Sequence, residues 1–305
     1  MVRAWVNACR HRGHELVRAG CSVRARAIRC AYHAWVYRLD GSLRNAPRFD
    51  LPDDEDLGLL PVRSAVWHGW LFVNAAGDAE PLETVTGNLG SYLDAYDPAA
   101  LVTVATRRYE VAANWKLIFE NYLECYHCPS VHPELSRVQR TAGGEDFPAT
   151  GAWFGGLLDL RNSARSMSLD GSGSDWVFPR LDEDRARQVC YHGLLPGLFV
   201  TALHDYLVTH RLEPLAAGRT RVVCEWLFPE ELLSRGTDPA YAVDFWHTTN
   251  AQDWAACEST QRGVSHPRYV PGPLAPHEGA LRAFHRWLAD ACGPGAAGPV
   301  PGGAA

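Results

Sequence analysis

Short alternations of apolar and polar residues fill the first quarter of the chain. VRAWVNA, VRARAIRC, AWVYRLDG and VRSAVWHGWLFVN each set β-branched or aromatic residues beside turn formers, and Asp40-Gly41 supplies a tight turn. These segments predict a small β domain over residues 1–78. FDLPDDEDLG, lying among them, reads as an exposed acidic loop. From residue 79 the period lengthens. NLGSYLDAY and NWKLIFENYLECYHC carry helical spacing, and Pro129 is expected to end the second helix and push Cys128 out of the α region. YLVTHRLEPLAAGRTRVVCEWLFP predicts strand, turn at Gly218, strand. AYAVDFWHTTNAQDWAACESTQRG predicts a long helix capped at Gly263, and GALRAFHRWLADACG a further helix stopping at Gly293-Pro294. Residues 79–292 therefore predict a larger domain mixing helices with an antiparallel hairpin, so the fold class is α+β. Residues 293–305, rich in Gly, Pro and Ala, predict a disordered tail. RNSARSMSLDGSGSDW (161–176) is a polar Gly/Ser-rich loop and a candidate lid. No internal repeat is visible.

Composition narrows the function. The 305 residues suit about two domains, and 47% apolar with 21% charged residues is ordinary for a globular enzyme. A net charge of −6 argues against a nucleic-acid or anionic-membrane partner. No apolar run reaches the roughly 18 residues a membrane span needs. MVRAWVNACRHRG lacks the order of a signal peptide. The odd number of cysteines, nine, favours a reducing cytoplasm, with metal or free-thiol roles over disulfides.

Two clusters carry candidate metal chemistry. Cys9-Arg10-His11 is followed, after 18 residues, by Cys30-Ala31-Tyr32-His33. Two Cys and two His suit zinc or a Rieske [2Fe–2S] cluster. Each pair mixes one thiol with one imidazole, which the Rieske arrangement explains, because each loop then serves both irons. His14 and Cys21 read as bystanders. The second cluster is ENYLECYHCPSVHPEL, Glu120 to Leu135. Glu124 and His127 are i, i+3 neighbours, and a break at Pro129 lets His132 turn towards His127. Cys125 and Cys128 lack a second Cys pair to complete a zinc site and read as two small buried residues. A 2-His-1-carboxylate triad needs a distant carboxylate, for which the residues alone rank Asp253 and Glu258 about equally.

CRHRGHEL…CAYHAWVYRLDGSL resembles the Rieske motif of ring-hydroxylating-type oxygenase alpha subunits. Respiratory Rieske proteins carry two further cysteines, whose places fall at His14 and Tyr32 here. The resemblance runs from about Asn7 to Asp290 in three ordered blocks. It implies a Rieske β domain followed by a helix-grip-like catalytic domain, with Cys9, His11, Cys30 and His33 holding the cluster. It also implies mononuclear Fe(II) on His127, His132 and Asp253. NAQDWAACESTQRGVSHPRYVPGPL is similar to the family's C-terminal helix, and Glu258 falls on another face of it. The same resemblance makes Glu124 a bridge to a Rieske histidine of a neighbouring subunit and gives Asn121 a supporting role.

The implied activity is oxygenation. A reductase or ferredoxin supplies electrons, O2 is the oxidant, and a small organic substrate is hydroxylated or dealkylated by a homotrimer. Glu rather than Asp at position 124 resembles the quaternary-amine branch more than the ring-dihydroxylating one. Trp153, Phe154, Trp176, Phe178, Tyr206 and Trp226 are candidate walls of a cation–π pocket, or core. His204-Asp205-Tyr206 faces that pocket or forms a structural network. His68, His192, His247 and His266 read as structural or surface residues. Three departures stand out. Ala34 replaces the usual glycine after the Rieske histidine, the 18-residue gap is slightly long, and the family has several dozen residues before the motif, so either the start is assigned too late or the first strands of that domain are missing. The alternatives are a Rieske electron-transfer or redox-sensing protein without catalysis, and a zinc-binding structural protein.

Overall fold

The computed structural model describes residues 2–49 and 56–293. The acidic loop falls largely, and the Gly/Pro/Ala tail almost wholly, outside the described residues. The chain divides into two compact units between Pro81 and Leu82. The first holds six short strands: β1 (Ala4–Trp5), β2 (Ile28–Arg29), β3 (Val36–Tyr37), β4 (Leu43–Asn45), β5 (Pro61–Trp67) and β6 (Trp70–Asn74). They form two antiparallel sheets, β1-β5-β6 and β2-β3-β4. Gly41, at φ 89°, supplies the left-handed turn between β3 and β4 that Asp40-Gly41 predicts. The small core packs Cys9, Cys30, Trp35, Tyr37, Ala46 and Leu59, so the two cysteines are part of what holds the unit together.

The second unit opens with α1 (Leu82–Thr86), α2 (Leu89–Leu93) and β7 (Val102–Val111). Three helices follow: α3 (Trp115–Tyr122), α4 (Cys128–Val131) and α5 (Pro133–Val138). The remaining strands are β8 (Glu145–Asp146), β9 (Trp153–Asp159), β10 (Gln188–Leu194), β11 (Leu198–Ala202), β12 (Leu207–Ala216) and β13 (Arg219–Phe228). The last helices are α6 (Glu230–Ser234), α7 (Ala240–Val264) and α8 (Gly279–Cys292). The seven strands form one antiparallel sheet ordered β7-β13-β12-β11-β10-β9-β8. Phe119 of α3, Cys257 of α7 and Phe284 of α8 meet Phe154, Phe199 and Val222 of the sheet in one core. Along α7 the buried residues Ala242, Phe245, Trp246, Thr249, Asn250 and Cys257 recur every three or four positions. Asp253 continues that inward stripe.

His132, His192, His204 and His210 are all buried in this unit. Burial, the largest influence, holds His192 and His210 each down to about 4, opposed by the Val200 carbonyl and the Asn250 amide respectively. A folded-state value below the unfolded 6.5 means the unfolded chain takes up protons first as pH falls. Stability is therefore full above pH 6.5 and is lost as pH drops towards 4. Between pH 7 and pH 5 His192 and His210 are each expected to remove about 2 kcal/mol. Denaturant unfolding at the two pH values checks this, and equal midpoints would contradict it.

Candidate metal centres

In the first unit, two loops meet. Cys9 accepts the Gly13 amide and donates its own amide to the His14 carbonyl, while the Cys30 amide bonds the Trp35 carbonyl. These tight turns bring His11 and His33 together, with ring centroids 4.6 Å apart, and Trp35 stacks on His11 at 5.1 Å. Neither Cys9 nor Cys30 is in a disulfide, and both are buried. The Tyr37 hydroxyl accepts from the Arg10 amide at 3.0 Å and lies 3.2 Å from the Cys9 sulfur. A hydroxyl at that sulfur is a device for tuning cluster potential. His33 is held below its ordinary value by burial first, then by His11, Arg12 and His14, which favours the neutral ring a metal requires. His11 Nδ1 is buried without a hydrogen-bond partner. An orphaned imidazole nitrogen beside two free buried thiols fits a cluster held by Cys9, His11, Cys30 and His33. Ala34, where the family resemblance expects Gly, adopts φ 59°, a conformation that costs an L residue about 1 kcal/mol.

The second centre forms where α3 stops. The helical spacing predicts a helix ended by Pro129 with Cys128 pushed out of the α region, but α3 ends at Tyr122, and Cys128 and Pro129 open a new helix. The cause is local competition for backbone donors. Glu124 Oε2 accepts the amides of Tyr126 and His127, taking them from the helical ladder. His132 then sits between α4 and α5 at φ −120°, ψ 78°, just before Pro133. A residue preceding proline is driven out of the α region, so Pro133 as well as Pro129 turns His132 back.

Three ligand atoms converge. His127 Nε2 and His132 Nε2 are 3.2 Å apart, and Asp253 Oδ1 lies 2.9 Å from His132 Nε2 and 3.4 Å from His127 Nε2. Neighbouring ligands about 2.1 Å from one ion span roughly 3 Å, so the three fit a single metal. Each imidazole is oriented from behind. His127 Nδ1 donates to Glu124 Oε1 at 2.6 Å, and His132 Nδ1 donates to Gln252 Oε1 at 2.8 Å. Gln252 in turn donates to Glu134 at 2.9 Å, which fixes its amide. Both rings therefore present Nε2 to the ion. Burial lowers His127, but Asp253 and Glu124 outweigh it and raise the ring to about 9. Burial raises Asp253, and the two histidines bring it below its ordinary value, as a ligand carboxylate requires. The Asn121 amide lies 3.4 Å from His127 Nε2. Glu258 lies elsewhere, accepting the Ala112 amide. Gln252 and Glu134 were not read from the sequence. Only the adjacency of Gln252 to Asp253 pointed that way.

A cavity of about 710 Å³ opens at this centre. Its aromatic walls are Tyr122, Tyr126, Tyr191, Phe199, Trp246 and Trp254. Trp153, Phe154, Trp176, Phe178, Tyr206 and Trp226, proposed as walls from the sequence, are buried core and line none of it. The 161–176 loop lines none of it either. It is packed by Ser166, Met167 and Ser168, with the Arg165 amide bonded to the Gly171 carbonyl. The Asp205 carboxylate accepts from Ser166 and Tyr241, and the Tyr206 hydroxyl bonds the Met167 carbonyl, so His204-Asp205-Tyr206 is a structural network. Gly155, on the cavity's sheet side, has no room for a side chain, since a Cβ would stand 2.0 Å from the Tyr191 carbonyl. Cys125 and Cys128, which the sequence suggests are two small buried thiols, are a disulfide-bonded pair with Cα atoms 4.9 Å apart.

Paired Cys-His loops in one unit and a two-histidine, one-carboxylate triad in the other define a two-centre non-haem iron oxygenase. Residues 98–294 match the catalytic domain of the ring-hydroxylating alpha subunit, and residues 1–53 match the Rieske [2Fe-2S] domain. The chain belongs to the ring-hydroxylating alpha-subunit family. It is 30% identical over 327 residues to the glycine betaine monooxygenase oxygenase subunit of Pseudomonas aeruginosa, covering 95% of this chain and 75% of that protein. It is 36% identical over 288 residues to the carnitine monooxygenase oxygenase subunit of Acinetobacter baumannii, covering 88% and 71%. The quaternary ammonium Rieske monooxygenase CntA shares the fold with a TM-score of 0.76 at 22% identity, covering 94% of this chain and 78% of that one. Naphthalene 1,2-dioxygenase from Rhodococcus shares it with a TM-score of 0.70 at 20% identity, covering 94% and 80%. The protein is thus a Rieske oxygenase subunit carrying a [2Fe–2S] cluster and a mononuclear iron, fed by a reductase or ferredoxin. Among the described residues, no helix is long and apolar enough to cross a membrane.

Proposed function

We propose that this protein is the oxygenase subunit of a quaternary-amine monooxygenase, with the cluster on Cys9, His11, Cys30 and His33 and the catalytic iron on His127, His132 and Asp253. The observation that carries the substrate class is the cavity beside the triad. It combines six aromatic rings with the carboxylates of Glu145 and Asp146, surroundings suited to a cation. Two relatives at 30% and 36% identity, named for glycine betaine and carnitine, support the same class.

When bound, the two iron groups supply electron storage and O2 chemistry. The chain supplies the geometry. Glu124 and Gln252 hold the imidazoles in the tautomer that directs Nε2 inwards, Asn121 brings an amide to the same nitrogen, and the aromatic walls place the carbon next to the quaternary nitrogen. Hydroxylation there consumes O2, two electrons and two protons and releases water. The resulting carbinolamine breaks its C–N bond to an aldehyde and a tertiary amine. Glu124 passes electrons from the cluster of a neighbouring subunit in a homotrimer. CntA, of like fold, is described in terms of carnitine oxidation and inter-subunit electron transfer.

The test is O2 uptake with a reductase across quaternary amines and aromatic acids. Quaternary amines should stimulate uptake and release aldehyde in equal amount. Stimulation by aromatic acids alone would reject the assignment.

A further inference from the structure

We propose that Cys125 and Cys128 form a redox-active pair in the wall of the catalytic cavity, cycling between disulfide and dithiol and setting how firmly His127 is held. The proposal rests on His127 being an iron ligand. Both cysteines line the cavity. They bracket His127 in Cys125-Tyr126-His127-Cys128, and the bond between them closes the loop that joins α3 to α4. Cys128 Sγ is 4.0 Å from His127 Nε2 and shares a cluster with His132. The segment has no helical ladder of its own. Its ties include the Glu124 contacts to the Tyr126 and His127 amides and to the His127 ring, the Cys128 amide on the Cys125 carbonyl, and the Ser130 and Val131 amides on the His127 carbonyl. Cys125 is half-buried and Cys128 buried, and both line the cavity, so a small thiol or peroxide reaches the pair through the cavity at Cys125.

A disulfide placed beside an O2-using centre has a natural oxidant. Hydrogen peroxide takes two electrons and two protons from the dithiol, giving the disulfide and two waters. The reverse step needs a dithiol reductant. One of its thiolates attacks a sulfur of the pair, a mixed disulfide forms, and the reductant leaves as its own disulfide. In the oxidised form the ring Cys125–Cys128 pins Tyr126 and His127 between the two sulfurs. In the reduced form His127 keeps its contacts to Glu124, Asp253 and Asn121 but loses that closure.

The full-length protein with both metal centres loaded is equilibrated anaerobically in mixtures of reduced and oxidised dithiothreitol, then alkylated. The peptide holding residues 125–128 should carry two alkyl groups or none, changing reversibly, and peroxide should return it to none. A chelator should extract the mononuclear iron about tenfold faster from the reduced form, the scale typical of losing a group that orients a ligand. Cys125→Ser should show the fast rate in every buffer. Two free thiols surviving oxidised dithiothreitol and peroxide, or equal extraction rates with about three irons per chain at the outset, would overturn the proposal. About two irons per chain before any treatment would instead remove the iron assignment, and the coupling with it.

Discussion

Asp253→Ala protein is expected to hold about two irons per chain in place of about three, and to lose turnover by at least ~1000-fold. Among the described residues, Asp253 alone places a carboxylate oxygen near both histidine nitrogens, at 2.9 Å and 3.4 Å. Without it, a dication would rest on two neutral imidazoles in a site from which water is partly excluded. Losing an outer contact to a ligand costs ten- to a hundredfold in metal affinity, and losing the charged ligand itself costs more. The visible Rieske spectrum should be unchanged, because Cys9, His11, Cys30 and His33 belong to the other compact unit. The variant should also stay folded. Its neighbours on the inward stripe of α7, Asn250 and Cys257, keep their packing, and alanine removes a costly buried charge. Iron analysis and the visible spectrum on one sample check both halves. Three irons in the variant, or a bleached cluster, would contradict the two-centre assignment.

Where the sequence succeeded, a regular period was at work. The long stretch from Ala240 to Val264 and the hairpin turning at Gly218 follow from apolar spacing and a turn residue, and α8 ends at Gly293, where φ is 67°. The paired Cys-His loops were legible because ligand chemistry restricts both residue type and spacing. Asp253 was not legible from period alone, since Glu258 on the same helix is an equal candidate until the fold shows which face points inwards. The errors have separate physical origins. NWKLIFENYLECYHC has helical spacing throughout, yet the carboxylate of Glu124 captures two backbone amides and stops the helix early. Tryptophan positions give no sign of whether they face a cavity or a core, because both reward large apolar rings. Polarity likewise made 161–176 resemble a mobile lid, although its serines are consumed by internal bonds such as Ser166 to Asp205.

Substitution of Glu124 should separate structure from electron flow. Glu124→Gln protein is expected to keep about three irons per chain. The glutamine carbonyl can still accept the Nδ1 proton of His127, so the ring keeps its tautomer. What changes is charge. The carboxylate raises His127 and polarises its N–H, and the amide does neither. The side chain is 16% exposed and stands two residues from the exposed Tyr126, within reach of a docked neighbour. If Glu124 also contacts a cluster histidine there, the neutral variant should slow transfer between centres by about ten- to a hundredfold. Rapid mixing of pre-reduced protein with substrate and O2 follows this directly, through the return of the oxidised Rieske absorbance in a single turnover. Glu124→Asp tests reach with the charge kept, since the shorter side chain retracts from either imidazole. Slow transfer in both variants, with iron retained, is the pattern an electron bridge requires. A single-turnover rate equal to that of the unmodified protein would leave Glu124 as an orienting residue for His127 and nothing more.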